Sequence, residues 1–210
     1  MNPKSLFRRL FPTAHRLLVE RALRSLTLPD FESVLIVGAG YDPYRSLFPR
    51  AKEYIRLDIQ PIPGITDVVG DALALPFETE RFNCLFASEL LEHVEDPFLF
   101  AQEAARVLKP GGTIILTVPF MFHRHGDPHD YWRLTDQGLM TAFKHFTKVE
   151  VKPLGNSIHA ISDLLTTAFN PYPLFFPLRV FNHLFVVIPR KMVGRLESKA
   201  PSGYILIGTK

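Results

Sequence analysis

Between residues 33 and 118 the apolar positions come in short unbroken runs, separated by stretches where they recur every three or four residues. Val34-Leu35-Ile36-Val37 leads directly into Gly38-Ala39-Gly40. Four apolar residues without polar alternation read as a strand buried on both faces, the habit of parallel sheets. Comparable runs predict strands over 33–37, 53–57, 66–69, 82–87 and 113–118, with later ones over 148–152 and from 203 onward. The intervening segments follow helical spacing. Val19, Ala22, Leu23 and Leu26 share one face of a helix over 13–26. Asp96-Pro97 opens another, with an acidic cap and a proline at the first helical position. Phe98, Ala101, Ala105 and Leu108 would be its buried face, and Lys109-Pro110-Gly111-Gly112 its stop. A short helix is expected around 43–48, and Thr135 caps a further one bearing Leu139, Ala142, Phe143 and Phe146. Strands alternating with helices make the fold class α/β, with a doubly wound, mostly parallel sheet.

Polar residues then fall at the ends of the predicted strands, where such folds bind ligands. Gly38, Ala39 and Gly40 let the backbone turn sharply and approach a ligand closely, although glycines in this position also make plain loops. Asp58, followed by Ile59, closes the second strand about 20 residues past the first glycine, where a carboxylate can take both hydroxyls of a ribose. Asp71 follows the third strand and can reach an adenine amino group, with Ala72 and Leu73 against the ring; it can also simply satisfy a turn. Ser88 and Glu89 follow the fourth strand. A dinucleotide fingerprint would want a third glycine at 43, and Pro43 stands there, which argues against a nicotinamide oxidoreductase.

Composition narrows the picture only modestly. The 210 residues are 47% hydrophobic, enough for a proper core. A formal charge of +3 gives no case for nucleic acid. The single cysteine, Cys84, cannot form an internal disulfide, so a reducing, cytoplasmic setting is expected. Residues 1–10 lack the apolar core and cleavage site of a signal peptide. Leu6, Phe7, Leu10 and Phe11, interleaved with Lys4, Arg8 and Arg9, suit a membrane surface or packing on the body of the protein equally well.

The succession GAG, Asp58, GDALALPF, FNCLFASELLEHVEDP and LKPGGTIILTVP resembles class I S-adenosylmethionine-dependent methyltransferases. Within them it resembles the small branch that includes quinone- and glycan-pathway methylases, over roughly 33–151. The resemblance implies a Rossmann-like seven-stranded sheet with an antiparallel last strand, and S-adenosyl-L-methionine as cofactor. It places Gly38 and Gly40 around the methionine part, Asp58 at the ribose and Asp71 with Ala72 at the adenine end, with Ala39, Ile59 and Leu73 also expected among the cofactor-binding residues. Ser88 and Glu89 would border the transfer site, and His93 would shape its wall. Two departures stand out: Ile36 occupies the position where the family usually has an acid, and Tyr41 follows the glycines where it often has a small residue. Ile36, together with the hydrophobic insert over 155–201, motivates an alternative, a non-catalytic relative acting as a membrane-associated or scaffold partner.

Pro119 to Thr135, PFMFHRHGDPHDYWRLT, gathers His123, His125, Asp127, His129, Asp130, Tyr131, Trp132 and Arg133 in one predicted loop. Its PHDYWR element also resembles relatives of this branch. Such density in a loop hints at function. His123, His125 or His129, with Asp130, could take a proton from an acceptor hydroxyl. Asp130 to Arg133 could instead staple the loop to the domain. A metal is not assigned, because no helical or CxxC-type ligand spacing supports one.

Residues 155–201 are long and apolar, but Pro171, Pro173, Pro177 and Pro189 interrupt them too often for a membrane-spanning helix. Phe181, Leu184, Phe185 and Ile188 follow helical spacing, with Arg190, Lys191 and Arg195 beyond. That face suits an extra helical layer, peripheral membrane contact, a lipid-linked substrate or a homodimer. The organisation expected is one domain: an N-terminal helical segment over 1–28, a cofactor-binding core over 33–152, an apolar helical insert over 155–201 and a last strand over 203–209. The expected acceptor is a small molecule, sugar or lipid-linked compound, with no nucleic acid.

Overall fold

The computed structural model describes residues 12–126, 129–167 and 199–210. Two compact units divide the chain. The first, here the sheet unit, takes Leu26–Val118, Ile205–Lys210 and, within His125–Lys152, the described residues. The second, the helical unit, takes Pro119–Arg124 and the described residues of Met1–Ser25 and Pro153–Tyr204.

Seven strands form one sheet: β1 (Ser33–Val37), β2 (Glu53–Asp58), β3 (Val68–Val69), β4 (Phe82–Ser88), β5 (Leu108–Pro119), β6 (Lys148–Leu154) and β7 (Gly203–Thr209), in the order β3-β2-β1-β4-β5-β7-β6. The first five run parallel, with Leu35 beside Ile55 on one side and Leu85 on the other. The later strands run antiparallel: Gly111 N–H donates to the Lys210 carbonyl, and Lys210 N–H donates to the Gly112 carbonyl. All five residues of β1 are buried, as a central parallel strand requires. The chain steps outward from β1 to β2 and β3, then returns to β4 on β1's other side. That reversal opens a crevice at the carboxyl ends of β1 and β4, where doubly wound sheets hold ligands.

Beneath the crevice, aromatic rings fill the sheet unit. Phe86 lies 5.1 Å from Tyr44 and 5.7 Å from Phe48, and Phe48 also meets Phe31 and Tyr54. Helix α2 (Pro97–Val107) covers the sheet through Pro97, Phe100, Ala101, Ala104 and Val107. Its cap is Asp96, whose carboxylate accepts the N–H groups of Phe98 and Leu99. The face expected from the sequence was rotated: Phe98 is 43% exposed, and Phe100 is the buried ring. The predicted stop at Lys109 to Gly112 is also corrected, because the helix ends at Val107 and β5 begins at once. The third strand and the helix near 45 are shorter than expected, the latter reduced to one tight turn at Arg45–Leu47. Helix α3 (Asp136–Ala142) is capped by Thr135, whose hydroxyl accepts Gly138 N–H, and α3 packs near α2.

In the helical unit, α1 (Ala14–Arg24) packs on α4 (Ser157–Thr167), a helix the sequence reading left inside the apolar insert. Asp163 of α4 accepts Ala14 N–H and His15 N–H at 2.7 Å each, and so closes the start of α1. Its carboxylate also accepts the Ser202 hydroxyl, which lies 3.0 Å from His15 Nδ1. Burial pushes the Asp163 carboxyl up, against the lowering effect of those bonds. Among the described residues no helix is long and apolar enough to cross a membrane. Leu6 to Leu10 and the stretch from Phe181 to Arg195 lie outside the described residues.

Candidate functional site

At the carboxyl end of β1 the backbone turns back on itself. Gly38 and Gly40 take φ values of +70° and +52°, a region that side chains disfavour. Gly38 has a second reason to lack a side chain: a Cβ there would stand 2.8 Å from Leu90 Cδ1. The turn is tied to the next strand. Gly38 N–H and Ala39 N–H both donate to the Leu57 carbonyl. Gly40 N–H donates to Asp58 Oδ2 at 3.1 Å, and Gln60 N–H donates to Asp58 Oδ1 at 3.0 Å. One carboxylate thus fixes the glycine turn and the start of the loop after β2. Beyond the turn, Asp42 is a non-glycine residue at φ +42° and accepts the Tyr54 hydroxyl at 2.8 Å.

The next two carboxylates lie along the same edge. Asp71 follows β3, and its carboxylate accepts Leu73 N–H at 2.8 Å, which closes the turn carrying Ala72 and Leu73. This turn is held from below. Arg106 of α2 donates to the carbonyls of Leu75 and Phe77, while Glu103 accepts Leu75 N–H and pairs with Arg106 at 2.7 Å. The Arg106 hydrogen bonds draw the Glu103 carboxyl below its usual range. At the end of β4, Ser88 Oγ lies 2.9 Å from Thr117 Oγ1, and Glu89 adopts φ +55° with its N–H donated to the Thr117 carbonyl. Ile59 and Tyr41 are exposed at the rim, whereas Ile36 is buried. The structure brings Gly38, Ala39, Gly40 and Asp58 together directly; Asp71, Ala72, Leu73, Ser88 and Glu89 follow at neighbouring strand ends.

The loop after β5 divides between the units. His123 belongs to the helical unit, where its ring lies 4.5 Å from Phe122. His125, His129 and Asp130 belong to the sheet unit, and Asp127 lies outside the described residues. Within the sheet unit the loop is stitched to residues 92–95. Tyr131 N–H donates to the Glu92 carbonyl at 2.7 Å, Trp132 Nε1–H to the Val94 carbonyl at 3.0 Å, and His93 Nδ1–H to the His129 carbonyl. The Asp130 side chain is 2% exposed and accepts two bonds from the Arg133 guanidinium and one from His125 N–H. Burial alone would raise its carboxyl, but Arg133 and the His125 N–H carry it down to about 2. The sequence reading missed Glu92. Its carboxylate is 1% exposed, with His93 Nε2 at 3.6 Å and His125 Nε2 at 3.7 Å from Oε1. Burial, reinforced by the nearby Glu89 charge, pushes the Glu92 carboxyl well up.

Comparisons with known proteins agree with this geometry. A family profile described as "Methyltransferase domain" matches residues 26–116. An uncharacterized methyltransferase of Mycobacterium sp. (strain JLS) is 30% identical over 118 residues, covering 49% of this chain and 47% of the relative. The 2-methyl-6-phytyl-1,4-hydroquinone methyltransferase of Synechocystis sp. is 31% identical over 106 residues, covering 43% of this chain and 33% of the relative. The chain therefore spans less than half the length of these curated relatives. A SAM-dependent methyltransferase structure from Archaeoglobus fulgidus superposes with a TM-score of 0.60 at 16% identity, each chain covered over 100%. Residues 26–116 match the methyltransferase-domain profile, and the fold is similar to that of the Archaeoglobus fulgidus SAM-dependent methyltransferase.

Proposed function

We propose that this chain transfers the methyl group of S-adenosyl-L-methionine to an oxygen of a small-molecule, sugar or lipid-linked acceptor. The observation that carries the reading is the coupling of the Gly38–Gly40 turn to Asp58 through the Gly40 N–H bond at 3.1 Å. A side chain at 38 is excluded by Leu90, so the turn supplies close backbone approach with a carboxylate at its edge. That combination suits a ribose-bearing cofactor. Asp71, Ala72 and Leu73 would meet the adenine, Ile59 the ribose rim, and Ser88 and Glu89 the side facing the acceptor.

S-adenosylmethionine supplies a methyl group already activated by its positive sulfur. The residues here have to align an acceptor oxygen behind it and keep water out, so proximity carries most of the rate. The acceptor hydroxyl must also lose a proton. His123, His125 and His129 are the candidates to take it. Asp130 suits that role poorly, because a carboxylate held near 2 by Arg133 is a weak base; it fits better as the positioning group for the His125 segment.

Calorimetric titration with S-adenosylhomocysteine tests the cofactor, and transfer of labelled methyl groups into soluble and lipid fractions of an extract tests the acceptor class. Asp58→Ala is expected to weaken cofactor binding about tenfold or more, close to 1.4 kcal/mol. No binding at millimolar cofactor would overturn the reading. Buried Ile36, in place of the acid usual in these enzymes, favours a second reading as a non-catalytic scaffold; binding without turnover on either fraction would support that one.

A further inference from the structure

Glu92 and His93 form part of a short turn at Leu91–His93, and His125 comes from the loop after β5. One ligand atom from each lies within 4.8 Å of the others. The Glu92 carboxylate is fully buried, and neither oxygen accepts a hydrogen bond among the described residues. A buried carboxylate with no donor is costly, since it has lost water and gained nothing in exchange. What faces it instead is the Nε2 atom of two imidazoles, at 3.6 and 3.7 Å. Those separations are too long for hydrogen bonds. They are near the spacing of about 3.4 Å that ligand atoms adopt around a tetrahedral zinc ion with bonds of about 2.0–2.1 Å.

Both rings are oriented from behind. His93 Nδ1–H donates to the His129 carbonyl, which leaves Nε2 with its lone pair toward Glu92. His125 Nδ1 lies 3.5 Å from Asp130 Oδ2, and that carboxylate is itself anchored by Arg133. Metal-bound histidines are habitually backed by a carbonyl or carboxylate on the other ring nitrogen; His93 has such a carbonyl bonded to it, and His125 has the Asp130 carboxylate beside it. The rings meet edge to face, with centroids 5.1 Å apart. The charges facing Glu92 are Glu89 and Asp130 against Arg133.

We propose that Glu92, His93 and His125 bind a divalent transition-metal ion of the zinc class. Two imidazoles and one carboxylate form a borderline ligand set that suits zinc or cobalt better than magnesium or calcium. Three protein ligands leave a coordination position for water or another oxygen. This inference does not rest on methyl transfer, because the ion is read without turnover.

The test uses the full chain, stripped with chelator and then titrated with Zn2+ against a chromophoric competitor, and separately with Co2+ while visible absorption is recorded. Stoichiometry near one ion per chain is expected, with tetrahedral cobalt bands. His125→Ala and Glu92→Gln should each weaken binding at least tenfold, whereas His145→Ala, which removes an exposed imidazole elsewhere, should leave it unchanged. Since Glu92→Gln alters a buried group, the zinc-dependent rise in melting temperature is compared in wild type and His125→Ala, whose side chain is partly exposed. Loss of that rise in His125→Ala supports the site. No competition for zinc, or binding indifferent to His125→Ala, would overturn it. Neither result bears on S-adenosylhomocysteine affinity, so the cofactor reading stands or falls separately.

Discussion

Gly38 carries two constraints at a single residue, a left-handed backbone and a packed neighbour, and they make it the most demanding position of the crevice. Gly38→Ala would place a methyl group against Leu90 and force a side chain to φ +70°. It should lower stability by about 1–3 kcal/mol and weaken S-adenosylhomocysteine binding, as denaturant unfolding and calorimetry would read. Gly40→Ala meets nothing within 4 Å, so it should show only the smaller backbone penalty. The difference between the two variants isolates the close approach of Leu90. Both glycines and Asp58 were legible in the sequence because one short stretch encodes them: a buried strand, a turn, then an acid one strand later. Glu92 was not, because its partner His125 lies 33 residues away and no ligand spacing links the two stretches that hold them. Only the fold brings a buried acid under two imidazoles.

The sequence spelled out β1 and the start of α2 well but misplaced the face of α2. Phe98, Leu99 and Phe100 are consecutive, so apolar residues surround the first turn and periodicity alone cannot choose among them. Packing chose Phe100, Ala104 and Val107. The strand β5 was read too short because glycine and proline look like punctuation; Gly111 instead takes φ +75° inside a pairing with Lys210. The polar side of α2 has a job that no spacing revealed. Glu103 and Arg106 clamp the segment bearing Leu75 and Phe77, just past the proposed adenine contacts. Glu103→Gln should cost about 1–2 kcal/mol, as a lost charge-assisted bond. Because the folded carboxyl lies below its unfolded value, its contribution is full above about pH 4.3 and fades as pH falls through the folded value. Urea unfolding of both proteins at pH 7 and pH 3 should therefore show the gap narrowing in acid.

At the scale of the whole chain, the sheet order and the antiparallel final strands agree with the expected α/β class, and the methyltransferase match over 26–116 takes in most of the stretch that the motifs marked. The helical unit was far less legible. Its organising group, Asp163, looks in sequence like an ordinary polar residue on a surface helix, yet it is buried and holds α1 by two backbone N–H groups. Asp163→Ala would leave those donors buried without a partner and should destabilise the unit by about 2–4 kcal/mol. Hydrogen exchange would show it as lost protection at Ala14 and His15, with β1 and β4 unaffected.

That anchor joins positions 149 residues apart. During synthesis the amino-terminal helix leaves the ribosome long before its acidic capping partner has been translated. Until then the nascent segment lacks the helix that covers it, and a chaperone or a transient wrong contact has time to claim it.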